Sequence, residues 1–181
     1  YQKALKLKMI TGKGYFFFVD KVNRQAPQMF KDKGLEIKAS NLCLTGDTLI
    51  KIKIAEAVNS IKLDDFVQYF TPNSTVQVQS YLDGNVHWSS VSAAAQTAVV
   101  TELYEITTNE STIKCTGNHK IFTVNRGYVE AKDLTETDYL LASNGEVASI
   151  TVNVIEVEET PVYDITVPET ECFFANDLLV H

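Results

Sequence analysis

From residue 48 onward the chain is a succession of short Val/Ile-rich segments separated by turn residues. Residues 49–54 alternate apolar and polar side chains, which is the pattern of a half-buried strand. Asp83 and Gly84 separate two such segments and predict a hairpin, and Asn109 and Glu110 separate two more and predict a second one. A short helix is predicted over residues 60–66. Further strands are predicted over residues 75–82, 85–91, 101–107, 111–116, 120–124, 139–141, 147–157, 162–167, 173–174 and 178–180. So many short strands predict an all-β fold.

The composition changes abruptly at Cys43. Residues 1–42 hold nine Lys/Arg against three Asp/Glu, a net charge of +6, whereas residues 43–181 hold seven against twenty, a net charge of −13. The first segment offers a short helix over residues 1–10 and one strongly apolar strand over residues 15–19, which is too little for a core of its own. We therefore predict two units, a small α+β segment (1–42) and an all-β domain (43–181).

Composition also excludes several classes of protein. An acidic domain disfavours nucleic acid as a partner, because binding phosphates requires clustered Lys/Arg. No apolar run reaches the roughly 18 residues of a membrane span, and the first ten residues do not resemble a signal peptide. Three cysteines without a CxxC spacing predict neither a disulfide framework nor a zinc site, and they favour a reducing, cytoplasmic compartment. We expect no metal and no cofactor.

The segment that ends at Cys43 contains three motifs: Thr11-Gly12-x-Gly14-Tyr15, Asp20-x-x-Asn23 and Ser40-Asn41-Leu42-Cys43. With these motifs it resembles the catalytic large subunit of class I ribonucleotide reductases. In that family a Ser-Asn-Leu-Cys run ends at the radical-carrying cysteine, and a glutamate follows two residues later. Thr45 stands at the glutamate position here, so the resemblance stops inside the reductase active site.

Four blocks follow one another from Cys43 onward: Cys43-Leu44-x-Gly46-Asp47-Thr48, Thr116-Gly117-Asn118-His119, Val162-Tyr163-Asp164-Ile165 and residues 173–181. With these blocks, in this order, residues 43–181 resemble inteins, the self-splicing elements of proteins. The resemblance implies the horseshoe-like, all-β Hint fold, which brings the two ends of an intein together. Too few residues lie between the second and third blocks for an endonuclease domain, which implies a mini-intein, or two halves of a split one joined near Asn144 and Gly145.

The chemistry of splicing requires a nucleophile at the junction between host and intein. Cys43 would attack the carbonyl of Leu42 and convert the peptide bond into a thioester. Attack on the adjacent carbonyl passes through a five-membered ring, so the two groups are already held together. An amide is a poor electrophile, however, and a thiol with a pKa of about 8.5 is mostly protonated near neutrality. The amide nitrogen therefore needs assistance.

The resemblance implies which residues assist. Thr116 would hold the scissile peptide and His119 would bind or protonate its nitrogen, since histidine can accept and donate a proton near neutral pH. Asp164 would tune the protonation of Cys43. His181 matches the histidine that assists cyclisation of a terminal asparagine. Glu171 stands where many inteins carry another histidine, and a carboxyl group of raised pKa could serve there.

The sequence stops at His181, before that asparagine and the Cys, Ser or Thr that begins the downstream host segment. We therefore expect a precursor trapped before splicing, with its own flanking host segments, or a complementary intein half, as partners. Two alternatives are a Hedgehog-like autoprocessing domain and a ribonucleotide reductase fragment. Away from the blocks, Cys115 and Cys172 are interpreted as small buried apolar residues, and His87 as a structural histidine.

Overall fold

The computed structural model describes residues 43–72 and 74–181. The helix and strands expected within residues 1–42 lie outside the described residues, and so does Leu42 at the predicted junction. The boundary between 1–42 and 43–181 therefore remains a prediction from sequence.

The described residues form short strands with one α-helix and one 3₁₀ helix. The elements are β1 (Leu44–Thr45), β2 (Leu49–Ile54), β3 (Ala57–Lys62), α1 (Leu63–Tyr69), β4 (Gln77–Leu82), β5 (Asn85–Ser90), β6 (Ala93–Thr107), β7 (Thr112–Cys115), β8 (Lys120–Thr123), β9 (Gly127–Glu130), a 3₁₀ helix (Ala131–Asp133), β10 (Tyr139–Leu141), β11 (Val147–Ser149), β12 (Thr151–Thr166), β13 (Phe173–Ala175) and β14 (Leu178–Val180).

Two antiparallel sheets organise these strands. β1 pairs with β12 on one side and with β7 on the other, and β6 lies between β12 and β7, so these four strands close into a small barrel. The second sheet has the order β11-β10-β8-β14-β13-β2-β4-β5, with β3 added to β2 and β9 to β8. The barrel contains the first strand after Cys43, and the second sheet holds the last strand beside β8. Both ends of the 43–181 domain therefore lie next to the β7–β8 connection.

One apolar core joins the two sheets. Leu44 and Ile106 from the barrel and Ile121 and Phe173 from the second sheet belong to the same cluster of buried side chains. Burying a side chain of this size contributes about 1.5–3 kcal/mol of transfer free energy, before the cost of ordering it. This shared core holds the first and last strands of the domain in fixed positions.

The sequence predicted both hairpins correctly and misplaced the helix. Residues 60–62 are the end of β3, and the helix begins only at Leu63, where Leu63 and Phe66 are buried one turn apart. β3 was missed because the turn that joins it to β2 contains no Gly or Asn. Ala55 adopts a φ of +53° there, which costs a residue with a Cβ about 1 kcal/mol, and the six-residue pairing of β2 with β3 offsets it.

The predicted bounds of the strands after residue 146 were also wrong. Residues 147–157 and 162–167 were predicted as two strands, yet β11 ends at Ser149 and β12 runs unbroken from Thr151 to Thr166. Pro161 pairs with Val99 in a short regular stretch between two irregularities of the β6–β12 pairing, one between Glu156 and Thr160 and one between Val162 and Tyr163. β12 needs this length to pair with β6, which itself begins at Ala93, before its predicted start.

No helix among the described residues is long and apolar enough to cross a membrane.

Candidate active site

Cys43 is buried at the start of the barrel. Its side chain is 1% exposed and packs beside Leu103 and Val162. The next residue, Leu44, pairs with Tyr163 of β12 and with Cys115 of β7. Cys43 is therefore held between the strands that lead to the second and third predicted blocks.

Thr116 forms two hydrogen bonds with Cys43. The Cys43 amide donates to Thr116 Oγ1 at 3.3 Å, and the Thr116 amide donates to the Cys43 carbonyl at 2.9 Å. The His119 amide in turn donates to the Thr116 carbonyl at 2.9 Å and closes a tight turn. Gly117 is required in this turn, because a Cβ there would lie 2.7 Å from the Tyr104 ring.

The His119 side chain is completely buried. Neither ring nitrogen has a hydrogen-bond partner within the part of the chain that the structure describes. Burial, with a smaller contribution from the charge of His181, lowers the pKa of His119 to about 3. The imidazole is therefore neutral at pH 7, with one nitrogen protonated and one free to accept a proton.

Asp164, Glu171 and His181 line one cleft of about 210 Å³. Burial raises the pKa of Asp164 to about 7, although its carboxylate accepts a hydrogen bond from the Ile165 amide at 2.8 Å. Glu171 is exposed and adopts a φ of +52°. The burial on which the predicted role of Glu171 depended is therefore absent.

His181 follows β14 and is half-buried. Its amide donates to the Lys120 carbonyl at 2.9 Å, and its ring packs edge-on against Tyr128 with the centroids 5.4 Å apart. Burial is the main cause that lowers the pKa of His181, and the nearby Lys120 charge adds to the effect. β14 pairs with β8 through Val180 and Ile121, so His181 lies beside the segment that carries His119.

The turn between β13 and β14 is anchored by Asn176. Asn176 exchanges two hydrogen bonds with Leu49: its Oδ1 accepts from the Leu49 amide at 2.6 Å, and its own amide donates to the Leu49 carbonyl at 2.8 Å. Its Nδ2 also donates to the Thr112 carbonyl at 2.6 Å. These bonds fix the last hairpin, and with it His181, against β2 and β7.

The predicted residues thus form two neighbouring groups. Cys43, Thr116 and His119 are joined by hydrogen bonds through the turn after β7, and Asp164, Glu171 and His181 share the cleft. Among the described residues, no cluster of His, Cys, Asp and Glu could hold a metal ion. Cys115 and Cys172 are buried and free, as small apolar residues would be.

Sequence reasoning missed Thr97. Its Oγ1 lies 2.8 Å from Cys43 Sγ and donates to the Val162 carbonyl at 3.1 Å. Thr97 stands in the Ala/Thr-rich first half of β6, where no motif singles it out. Only the register between β6 and β12 could have revealed this contact.

Comparisons with known proteins agree with this geometry. A family model described as the intein splicing domain matches residues 29–144. The DnaB intein of Synechocystis sp. PCC 6803 superposes with a TM-score of 0.65 at 23% identity, covering 77% of this chain and 96% of that one. The transcription factor IIB Mvu mini-intein gives 0.67 at 21% identity, covering 78% and 99%. The expectation of an all-β, Hint-type fold is confirmed.

The chain also resembles the large subunit of ribonucleoside-diphosphate reductase from Invertebrate iridescent virus 6, at 29% identity over 187 residues. That alignment covers 98% of this chain, so it includes residues on both sides of Cys43, but it spans only 18% of the relative's length. Since the family model matches more than half of the chain, and the fold agrees with it, this protein belongs to the inteins and is an autocatalytic protein-splicing domain.

Proposed function

We propose that Cys43 starts the splicing reaction by attacking the carbonyl carbon of Leu42. A bond forms between Sγ and that carbon, the bond from the carbon to the Cys43 nitrogen breaks, and the thiol proton is transferred in net to the new amine. The observation that carries this proposal is the pair of hydrogen bonds between Cys43 and Thr116. They hold the backbone on the intein side of the scissile bond rigidly, which favours a reactive geometry.

His119 acts on the leaving nitrogen. Its neutral imidazole can donate one proton and accept another, which general acid–base catalysis at an amide requires. Its ring nitrogens, which have no partner among the described residues, are costly in a buried site, and a role in catalysis accounts for that cost. Asp164, whose pKa is raised to about 7, can exchange a proton near neutral pH and tune the protonation of Cys43.

The later steps use the C-terminal hairpin. Continuing the antiparallel register of Val180 and Ile121 would bring the residue after His181 opposite His119. An asparagine at that place would lie close to the same histidine that serves the first step, and His181 would assist its cyclisation. Glu171 lines the exposed side of the cleft, and its role is to place a negative charge near His181.

The host of this intein is the large subunit of a ribonucleotide reductase, and residues 1–42 are the end of its upstream segment. Support comes from the Ser40–Cys43 motif and from the viral relative, whose similarity extends across the junction. The reductase would then become active only after splicing. A full-length precursor with reductase activity before excision would contradict this assignment.

The partners of the domain are its own flanking host segments. Because a free Cys43 thiol is needed, a reducing compartment such as the cytoplasm suits the reaction. The acidic 43–181 domain, with a net charge of −13, disfavours nucleic acid as a partner. A natural or engineered division near Asn144 and Gly145 would supply the domain as two complementary halves.

Intact-mass spectrometry with and without hydroxylamine tests the first step. Hydroxylamine cleaves thioesters, so we expect release of a fragment ending at Leu42 from the parent chain and none from Cys43→Ala. Cys172→Ala is the matched control, because it removes a buried thiol from a different cluster. Release from Cys43→Ala, or an equal loss of release in Cys172→Ala, would contradict the role of Cys43.

A further inference from the structure

The Cys43 sulfur lies next to a residue that none of the four blocks contains. Thr97 Oγ1 lies 2.8 Å from Sγ, and the same oxygen lies 3.1 Å from the carbonyl of Val162, to which it donates. Thr97 is on β6 and Val162 is on β12, so one hydroxyl joins the nucleophile to both long strands of the barrel.

A local irregularity in the sheet aims Thr97 at the sulfur. Val162 pairs with Ala98 and Tyr163 pairs with Gln96. Thr97 is therefore an extra residue in β6, and no residue of β12 pairs with it. Such a bulge bends its strand and redirects a side chain, and bulges are frequent beside active sites. The bulge lies where β1 joins the barrel, since Tyr163 also pairs with Leu44.

The Thr97 hydroxyl has one proton, and this limits what it can do. While that proton is donated to the Val162 carbonyl, Oγ1 can only accept at the sulfur, so the thiol of Cys43 is the donor. If the sulfur lost its proton, a rotation of the hydroxyl would transfer its donated bond from the carbonyl to the sulfur. A hydrogen bond to a charged acceptor is roughly twice as strong as a neutral one.

We propose that Thr97 is a positioning residue for the Cys43 nucleophile, which orients the thiol in the resting protein and donates a hydrogen bond to the thiolate when it forms. The inference rests on the proposed function, in which Cys43 is the nucleophile, and extends the site to a strand that carries none of the matched blocks. Thr97 does not touch the scissile bond; it acts through the sulfur.

Two variants separate the hydroxyl from the shape of the side chain. Thr97→Val removes the hydroxyl at nearly constant volume, and Thr97→Ser keeps it. Thr107→Val is the matched control, because Thr107 is on the same strand and its hydroxyl bonds Thr112 instead. Thermal unfolding of each full chain shows whether the fold is retained.

The first readout is the thiolate absorbance of Cys43 as a function of pH, taken as the difference between each chain and the same chain with Cys43→Ala. We expect Thr97→Val to move the midpoint upward by about one pH unit, which is roughly tenfold less thiolate at neutral pH. Thr97→Ser should return the midpoint to that of the parent, and Thr107→Val should leave it unchanged. An unmoved midpoint in a folded Thr97→Val chain would overturn the proposal.

The second readout is the rate of hydroxylamine-dependent release of the fragment ending at Leu42, expected to fall about tenfold in Thr97→Val and to recover in Thr97→Ser. The two readouts distinguish the two hypotheses. A shifted midpoint in a chain that never releases the fragment would refute the proposed role of Cys43 and leave the contact with Thr97 intact. Fragment release that Thr97→Val does not slow would overturn the role of Thr97 alone.

Discussion

The Cys43 backbone is bonded to Thr116 in both directions: its amide donates to Thr116 Oγ1 at 3.3 Å, and its carbonyl accepts from the Thr116 amide at 2.9 Å. Two bonds between residues so distant in sequence fix the position of the nucleophile's own peptide. The Thr116 hydroxyl contributes one bond and its backbone contributes the other. A substitution of the side chain therefore removes one without disturbing the other.

Thr116→Val should slow thioester formation about tenfold, because the hydrogen bond it removes is worth roughly 1 kcal/mol or slightly more. The rate of hydroxylamine-dependent release of the fragment ending at Leu42 measures this effect. Thr116→Ser retains the hydroxyl and should keep most of the rate. If Thr116→Ser and Thr116→Val both remain folded and release the fragment equally slowly, the Thr116 hydroxyl does not contribute to thioester formation.

His119→Leu should make the fold more stable while abolishing release of the upstream fragment. The imidazole is fully buried and both of its nitrogens are unpartnered among the described residues, so an apolar side chain of similar size removes a desolvation cost of about 1 kcal/mol. For a domain of this size, we expect the melting temperature to rise by about 2–4 °C. A less stable variant that still released the fragment would contradict a catalytic reason for this burial.

Asp164→Asn should flatten the pH dependence of stability between pH 4 and 7. The pKa of Asp164 is raised from 3.8 to about 7, so in this interval the folded state binds more protons than the unfolded state, and stability falls as pH rises. Denaturant unfolding should show the parent losing on the order of 2 kcal/mol relative to Asp164→Asn across the interval.

The comparison with Asp164→Asn also removes the influence of His119. The lowered pKa of His119 acts in the opposite direction, because the unfolded state then binds more protons between pH 3 and 6.5. That contribution is common to both chains and cancels in the difference. Parallel stability curves for the parent and Asp164→Asn would show that Asp164 is ionised normally.

Asp138→Asn should destabilise the domain by about 2 kcal/mol. The Asp138 carboxylate is fully buried, accepts from Arg126 Nε at 2.7 Å and Nη2 at 2.6 Å, and accepts from the Thr135 amide at 2.8 Å. Removing the charge leaves these donors poorly matched. Asp133→Asn is the control, because Asp133 belongs to the same connection but is exposed. Denaturant midpoints give the comparison, and equal midpoints would contradict the importance of this ion pair.

The same carboxylate should make the domain sensitive to strong acid. The Arg126 hydrogen bonds lower the pKa of Asp138 from 3.8 to about 2. A lowered carboxylate pKa stabilises the fold above pH 3.8, and this contribution is lost as the pH falls through 2. We therefore expect the stability difference between the parent and Asp138→Asn to shrink between pH 4 and 2. A difference that stays constant over that range would refute this assignment.

Insertions into the connection between β10 and β11 should be tolerated only at its tip. The Ser143 amide donates to the Asp177 carbonyl at 2.8 Å and its hydroxyl to Asp177 Oδ1 at 2.6 Å, whereas a side chain at Gly145 would meet open space. A Gly/Ser insertion after Asn144 should leave the melting temperature nearly unchanged. The same insertion before Ser143 should lower it, because it separates Ser143 from the hairpin that carries His181. If both insertions lowered the melting temperature equally, the hydrogen bonds between Ser143 and Asp177 would not be what holds this connection in place.

The residues of the candidate site were predicted from the resemblance to intein blocks, and their catalytic roles stay predictions. Cys43, Thr116, His119, Asp164 and His181 were all recognised from short blocks, and the structure brings them into two neighbouring groups. Both hairpins followed from their turns. β3 was not predicted, since Ala55 at a φ of +53° carries no turn signal. The continuous β12 was not predicted either, since Pro161 suggested a break and only the pairing with β6 shows that the strand continues through it.

The sequence by itself determined the all-β class, the order of the blocks and the chemical groups available for the reaction. Tertiary structure decided the protonation states of those groups, because burial lowers the pKa of His119 and raises that of Asp164, and burial depends on packing between strands distant in the chain. It also brought Thr97 to the sulfur of Cys43. A single extra residue in the β6–β12 pairing redirects that side chain, and register is a property of two strands together.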